Sequence, residues 1–330
     1  MSSRVIVYDT TTSDHLSKVR GIGRYLQVLK EALPNALFTS DLSEASAHDV
    51  LINPFVNFLA PPLVNKRFVQ KQIAVIHDLI PLKYSEHFPS GVRGKLNIFT
   101  NKQALKHYDT IVTDSEASKK DLMSLLKIPH AKIEIIYPAL QKIFFGKNKS
   151  DRSPEPFCIY VGDATWNKNL AKMARAVLLA DVQCVIVGKV FNTMGGLDHP
   201  WQRELKQFFE IAKDDPHFIF PGYVSDEELL SLYQKASCNL LVSRDEGFGY
   251  SYFEAASQGT PSVLSDIPVF KETAGNAAVF VDHNDEEAIA DGIHKLMTDK
   301  ISRNKISRKL KEQSKKVAPE TFQRNISKLL

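Results

Sequence analysis

The sequence predicts two doubly wound α/β domains in tandem, and three observations carry that prediction. The chain has 330 residues, too long for one ordinary core and suited to two domains of roughly 150 residues each. Short β-branched runs recur along its length with helix-length segments between them, the alternation that builds βαβ units. Those runs are mostly apolar throughout, which marks strands buried on both faces, as in parallel sheets covered by helices.

In the first half the runs are Arg4–Val7, Val50–Ile52, Ile73–Ile76, Thr110–Thr113 and Ile133–Ile136. After the first of them, Ile22, Leu26, Leu29 and Leu33 repeat at helical spacing and mark the first crossover helix. Residues 146–156 are polar, carry two prolines and show no periodicity, so they are the linker between a domain at 1–145 and one at 157–316. In the second half the runs are Cys158–Val161, Cys184–Val187, Phe218–Phe220, Asn239–Val242, Ser262–Leu264 and Val279–Val281. Residues 317–330 follow a lysine-rich helix and form one last helix, expected to return to the first domain. Doubly wound sheets bind ligands at the carboxyl ends of their strands. Two such domains facing each other are expected to hold a ligand in the cleft.

Composition narrows the class. A hydrophobic content of 43% with 24% charge belongs to a globular protein. The net charge of +4 and pI near 8.7 suit an anionic small ligand or an anionic membrane surface, and are too weak to argue for nucleic acid. Cys158, Cys184 and Cys238 lie in or beside apolar runs with no C-x-x-C pair, and read as core thiols in a reducing, cytoplasmic compartment. The N-terminus enters a strand without a signal-peptide pattern, and no apolar run approaches the ~18 residues that span a bilayer. Membrane contact is therefore expected to be peripheral, at the inner face of the membrane.

The stretch Glu246-Gly247-Phe248-Gly249 follows a strand and precedes a helix that begins near Tyr250. Glycines at such a turn let backbone N–H groups approach a ligand closely, and the helix N-terminus adds partial positive charge. That is a phosphate site. Glu254 falls about one turn into the helix, where a carboxylate would repel phosphate but can accept hydrogen bonds from adjacent ribose hydroxyls. Glu246 can do the same for hydroxyls of a second sugar beyond the phosphates. The sequence thus points to a nucleotide-sugar. The competing reading of Glu254 is a solvated helix residue favoured by the dipole.

Glu-Gly-Phe-Gly followed by Glu-Ala-Ala-Ser-Gln-Gly-Thr-Pro-Ser-Val resembles the donor-binding signature of glycosyltransferase family 4, retaining enzymes of the GT-B fold. Glu246 and Glu254 match the two glutamates of that signature, separated by seven residues. The likeness extends through residues 220–237 and 265–282, and in the first half through residues 21–33, 75–89 and 111–122. It covers nearly the whole chain, with several motifs in the same order.

The resemblance implies the following roles. Retention proceeds without an enzymic nucleophile, through an oxocarbenium-like transition state, so catalysis rests on stabilising the departing diphosphate and positioning the acceptor. Lys168 matches the lysine that contacts the diphosphate, with Gly162 and Asn167 of the same loop on the donor. An arginine commonly accompanies that lysine, but Asp163 and Asn167 occupy the candidate positions here. Arg244 and Arg20 are the candidate replacements. Tyr250-Ser251 stands where the family usually has Leu-Pro. His77 matches a histidine near the donor sugar, with Asp78 able to orient its ring or to cap the next turn. Gly21 and Gly23 match a loop that approaches the phosphates from the first domain, a plain tight turn being the alternative.

The implied function is transfer of a hexose from GDP-mannose or a UDP-sugar to a saccharide or lipid-linked saccharide, as in bacterial surface polysaccharide assembly. No D-x-D occurs and the His and Cys residues lack ligand spacing, so no metal is expected. No cofactor is expected either, the nucleoside-diphosphate-sugar being a co-substrate. The alternative is a transferase-like nucleotide-sugar binding or scaffold subunit with weakened turnover, which the missing arginine would suit. Residues 61–72 mix apolar side chains with Lys66, Arg67 and Lys71, and are the segment expected to touch anionic lipid.

Overall fold

The computed structural model describes residues 4–9, 21–146, 155–192 and 197–330. The chain divides into two compact units, residues 1–141 with 317–330, and residues 142–316. Among the described residues each unit is built on one six-stranded parallel sheet. Most of the expected linker, including residues 147–154, lies outside the described residues, as does Arg20.

The first unit runs β1 (Val5–Tyr8), α1 (Gly21–Ala32), β2 (Leu37–Thr39), β3 (Val50–Asn53), β4 (Lys71–Val75), α2 (Ile80–Lys83), α3 (Gly91–Ala104), β5 (Thr110–Thr113), α4 (Glu116–Leu126) and β6 (Ile133–Ile135). The strand order is β2-β1-β3-β4-β5-β6. Alternation along β3 shows why the runs are apolar throughout. Val50 and Ile52 enter one packed layer and Leu51 the other, so neither face of the sheet meets water. Each such fully buried side chain contributes about 1.5–3 kcal/mol.

Strand β2 has no counterpart among the expected strands. It is a three-residue edge strand whose Leu37 is exposed, so it lacks the two-sided apolar signature of the others. Gly21 and Gly23 also depart from expectation, because they form the first turn of α1 and not a loop. The helix buries Tyr25, Leu26, Val28 and Leu29. Packing of that stripe outweighs the roughly 1 kcal/mol that each glycine costs a helix relative to alanine.

The second unit runs β7 (Phe157–Val161), α5 (Leu170–Leu179), β8 (Gln183–Val187), α6 (Arg203–Ala212), β9 (Phe218–Gly222), α7 (Asp226–Lys235), β10 (Cys238–Leu241), α8 (Tyr250–Ser257), β11 (Ser262–Ser265), α9 (Pro268–Ala274), β12 (Val279–Val281), α10 (Glu286–Thr298) and α11 (Lys300–Lys315). Its strand order is β12-β11-β10-β7-β8-β9, the order of a dinucleotide-binding sheet. The winding reverses between β7 and β10, and ligands bind such sheets at the carboxyl ends of the strands flanking that reversal. Cys158, Cys184 and Cys238 sit in register on β7, β8 and β10, buried and in no disulfide, as core thiols. The last helix, α12 (Pro319–Ser327), buries Phe322 and Ile326 in the core of the first unit, where Phe322 meets Tyr25 edge-on at 5.9 Å.

Candidate functional site

The chain leaves β10 and reaches Gly249, which caps α8 with φ +92°. Glycine is required there twice over. A side chain rarely adopts that φ, and a Cβ would meet the Phe270 ring at 2.7 Å. The turn is packed from within by Phe248, stacked on Phe253 with centroids 4.8 Å apart, while Tyr250 meets Phe248 edge-on at 6.1 Å. This holds the opening of α8 at the carboxyl end of the central strand β10. The first amides of a helix have no intrahelical partners, and its N-terminus carries partial positive charge, so the turn can hold phosphate.

Glu246 lies on that turn and is nine-tenths buried. Its Oε1 accepts from Ser243 Oγ at 2.8 Å and from Lys168 Nζ at 2.7 Å. Lys168 comes from the other side of the winding reversal, on a single helical turn at residues 166–168 that follows β7. Asn167 holds the two loops together: its side-chain amide donates to Asp245 O at 3.0 Å, and its own carbonyl accepts from Arg244 N at 2.7 Å. Thr165 Oγ1 donates to Asn167 Oδ1 at 2.8 Å and so fixes that amide. Gly162, just after β7, is a close-approach position where a Cβ would lie 2.7 Å from the Tyr160 hydroxyl.

Arg244, a candidate replacement for the missing diphosphate-binding arginine, is engaged within the protein. Its guanidinium lies 5.1 Å over the Trp166 ring, donates to the Trp166 carbonyl and pairs with Glu204 Oε2 at 3.0 Å. Glu204 is buried, and its other oxygen accepts from Ala171 N at 3.1 Å. A buried carboxylate needs such a partner, so the charge of Arg244 balances Glu204 at the base of the loop.

Glu254 is only 2% exposed, which excludes a solvated helix residue. Tyr233 of α7, itself fully buried, donates its hydroxyl to Glu254 Oε2 at 2.9 Å. A capping box fixes the start of α7, with Ser225 Oγ accepting from Glu228 N and Glu228 Oε2 from Ser225 N. Thr260 Oγ1 anchors the other end by donating to Tyr233 O at 2.5 Å. A carboxylate offers about four acceptor directions, and Tyr233 fixes its orientation through one of them.

In the first unit His77 follows β4 at the carboxyl edge of the sheet. Its Nδ1 lies 2.7 Å from Asp114 Oδ2 at the end of β5, and its ring meets Tyr25 edge-on at 4.8 Å. Burial disfavours the charged ring, but Asp114, Asp78 and the Pro54 carbonyl outweigh it and hold the imidazole above its ordinary value. Asp78 also caps the turn that opens α2, accepting from Ile80 N at 3.0 Å. Of the two roles expected for Asp78, orientation of the ring belongs to Asp114.

The structure therefore brings Lys168, Asn167, Arg244, Glu246 and the Gly247–Gly249 turn into one constellation, with Glu254 behind it in α8. Sequence reasoning missed Ser243, which meets Glu246 three residues on, and Tyr233, Glu204 and Asp114, each a polar residue whose partner is distant in the chain. Glu204 carried a faint signal as a carboxylate on an apolar helix face. Among the described residues no three His, Cys, Asp or Glu side chains are grouped as metal ligands.

O-antigen chain mannosyltransferase RfbU of Salmonella typhimurium is 28% identical over 238 residues, covering 71% of this chain and 64% of the relative. O-antigen chain mannosyltransferase B of Escherichia coli is 24% identical over 242 residues, covering 70% and 62%. The chain thus spans under two thirds of the length of these relatives. Among solved structures, sucrose-phosphate synthase from Thermosynechococcus elongatus superposes with a TM-score of 0.74 at 17% identity, over 99% of this chain and 98% of that one. Anabaena HepE in complex with UDP and glucose gives 0.70 at 15%, over 99% and 98%. These likenesses show the fold, two Rossmann-like domains of the GT-B class. The family model for glycosyl transferases group 1 matches residues 142–316, more than half of the chain and the whole of the second unit. The chain belongs to the group 1 glycosyl transferases.

Proposed function

We propose that the chain is a retaining hexosyltransferase. It moves a sugar from a nucleoside-diphosphate-sugar, GDP-mannose or a UDP-sugar, to a saccharide or lipid-linked saccharide acceptor in surface polysaccharide assembly. One observation carries the reading: two buried carboxylates and one ammonium, Glu246, Glu254 and Lys168, gather where the winding of the second sheet reverses. The names of RfbU and its Escherichia coli counterpart, both mannosyltransferases, support mannose, and the complex of HepE with UDP supports a nucleoside diphosphate.

Each group has a distinct task. The turn at Gly247–Gly249 and the start of α8 receive the phosphates. Glu254, held by Tyr233, accepts from ribose hydroxyls, and Glu246 from hydroxyls of the transferred sugar. When the donor enters, the diphosphate takes the Lys168 ammonium from Glu246, which frees that carboxylate for the sugar. The bond from the anomeric carbon to the diphosphate oxygen then breaks, and Lys168 stabilises the charge that grows on the leaving oxygen. The acceptor oxygen bonds the anomeric carbon on the same face and its proton leaves with the diphosphate. His77, oriented by Asp114, serves the acceptor side. No metal takes part in this scheme, since Lys168 and the helix N-terminus meet the diphosphate charge. The assembled Lys168–Glu246 pair favours a working transferase over a binding subunit.

A thermal-shift screen of nucleoside diphosphates and nucleotide-sugars tests the donor, because a bound ligand raises apparent stability by mass action. NMR of the product's anomeric configuration tests the chemistry. No shift with any nucleotide, or an inverted product, would overturn the reading.

A further inference from the structure

Helix α3 is built inside out. The residues it buries are Gly94, Asn101 and Ala104, while Val92, Leu96 and Phe99 stand 86%, 61% and 59% exposed. Spaced i, i+4 and i+7, these three lie on one stripe of the helix. The inner side is fastened by polar contacts in place of an apolar seam. Asn101 Nδ2 donates to Ala60 O at 2.8 Å, and Asn97 Nδ2 donates to Leu59 O at 2.9 Å. At Gly94 a Cβ would lie 3.8 Å from Leu59 Cδ2, so the helix backbone is in van der Waals reach of the loop that supports it. A helix that turns its large apolar side chains to water while docking through asparagines has an outer face made for a second environment.

The charges on α3 itself are of one sign. Arg93, Lys95 and Lys102 are exposed on α3, Lys106 is exposed just beyond it, and residues 87–108 contain no Asp or Glu. The neighbouring loop, whose Leu59 and Ala60 hold the asparagines, continues to Leu63, 42% exposed, and to exposed Lys66. Arg67 of that loop is closed on Asp109, at 2.9 Å. No helix of the described residues is long and apolar enough to cross a membrane.

We propose that α3, with Leu63 and Lys66 at its border, is a docking face for an anionic lipid bilayer. The helix lies in the plane of the interface, with Val92, Leu96 and Phe99 among the acyl chains and the flanking cations at the headgroups. The contact expected on residues 61–72 is thereby centred on α3, with that segment at its edge. A second copy of the chain fits this face poorly, because a two-fold contact across the stripe would bring the cations of both copies together. The proposal stands on the first unit alone and does not rest on the donor-site reading.

Flotation with vesicles of phosphatidylglycerol and phosphatidylcholine, against phosphatidylcholine alone, tests it. The protein is expected to float with the anionic vesicles at low salt and to be released as salt rises. Leu96→Glu with Phe99→Glu should lower the partition by at least about tenfold per side chain. Lys95→Gln with Lys102→Gln should lower it about fivefold per charge and flatten the salt dependence. All four side chains are exposed, so the thermal midpoint should not move. Native protein that stays unbound at low salt, or a Leu96/Phe99 variant that floats as well as the native chain, overturns the proposal. So does self-association in sedimentation equilibrium that this variant abolishes in the absence of vesicle binding, which would assign the face to a second copy.

Discussion

Replacing Glu254 with alanine separates binding from scaffolding at the donor site. The carboxylate is 2% exposed and takes the Tyr233 hydroxyl at 2.9 Å, so its removal has two consequences of different size. For stability, Glu254→Ala leaves that hydroxyl buried without its acceptor, a cost of about 1–3 kcal/mol. In a domain of this size that lowers the thermal midpoint by about 2–12 °C. For binding, two ribose hydroxyls lose a charged acceptor, at about 1.5–3 kcal/mol for each hydrogen bond. Affinity should then fall by at least about a hundredfold, and by the same factor for free nucleoside diphosphate as for the nucleotide-sugar, since both carry the ribose. Calorimetric titration with GDP, UDP and the matching nucleotide-sugars measures this directly. The double variant Tyr233→Phe/Glu254→Ala should regain part of the lost stability and none of the affinity. An unchanged diphosphate affinity in Glu254→Ala removes the ribose assignment. Affinity restored by Tyr233→Phe would make the glutamate a purely structural residue.

The other perturbations have separable signatures. Glu246→Ala should damage turnover while nucleoside diphosphate binding holds or tightens, because Lys168 then faces the phosphates without a competing carboxylate; equal loss of both would exchange the roles of the two glutamates. Lys168→Ala should lower turnover by about a hundredfold to a thousandfold, and added Mg²⁺ should not change the rate of the native enzyme, whereas a mild phenotype would move diphosphate stabilisation to another cation. Asp114→Asn should lower the His77 pKa, since burial then meets less opposition from neighbouring charge. In the native chain that raised pKa adds stability that is complete below the ordinary value of 6.5 and lost as pH rises through the folded value; the variant should lack this increment in thermal midpoints measured against pH, and a histidine NMR titration that does not move would detach Asp114 from His77.

Local pattern along the chain carries the strands and the glycine turn. Runs such as Thr110–Thr113 and Ser262–Leu264 announced themselves because a strand covered on both faces needs apolar residues at every position, and β5 and β11 lie where they were expected. The glycine turn was legible for a related reason, since only glycine fits the φ and the space at 249. A three-residue edge strand such as β2 has too little buried surface to leave that mark. The glycines at 21 and 23 show local propensity losing to a packed stripe. Which charges meet is set by the folded arrangement alone. Lys168 and Glu246 are 78 residues apart, Arg244 and Glu204 are 40 apart, His77 and Asp114 are 37 apart, and Tyr233 and Glu254 are 21 apart. No periodicity encodes such pairs. They arise because the parallel sheets bring the carboxyl ends of β7 and β10, and of β4 and β5, side by side, and because a charge that enters a packed layer must find its partner among whatever that layer brings near.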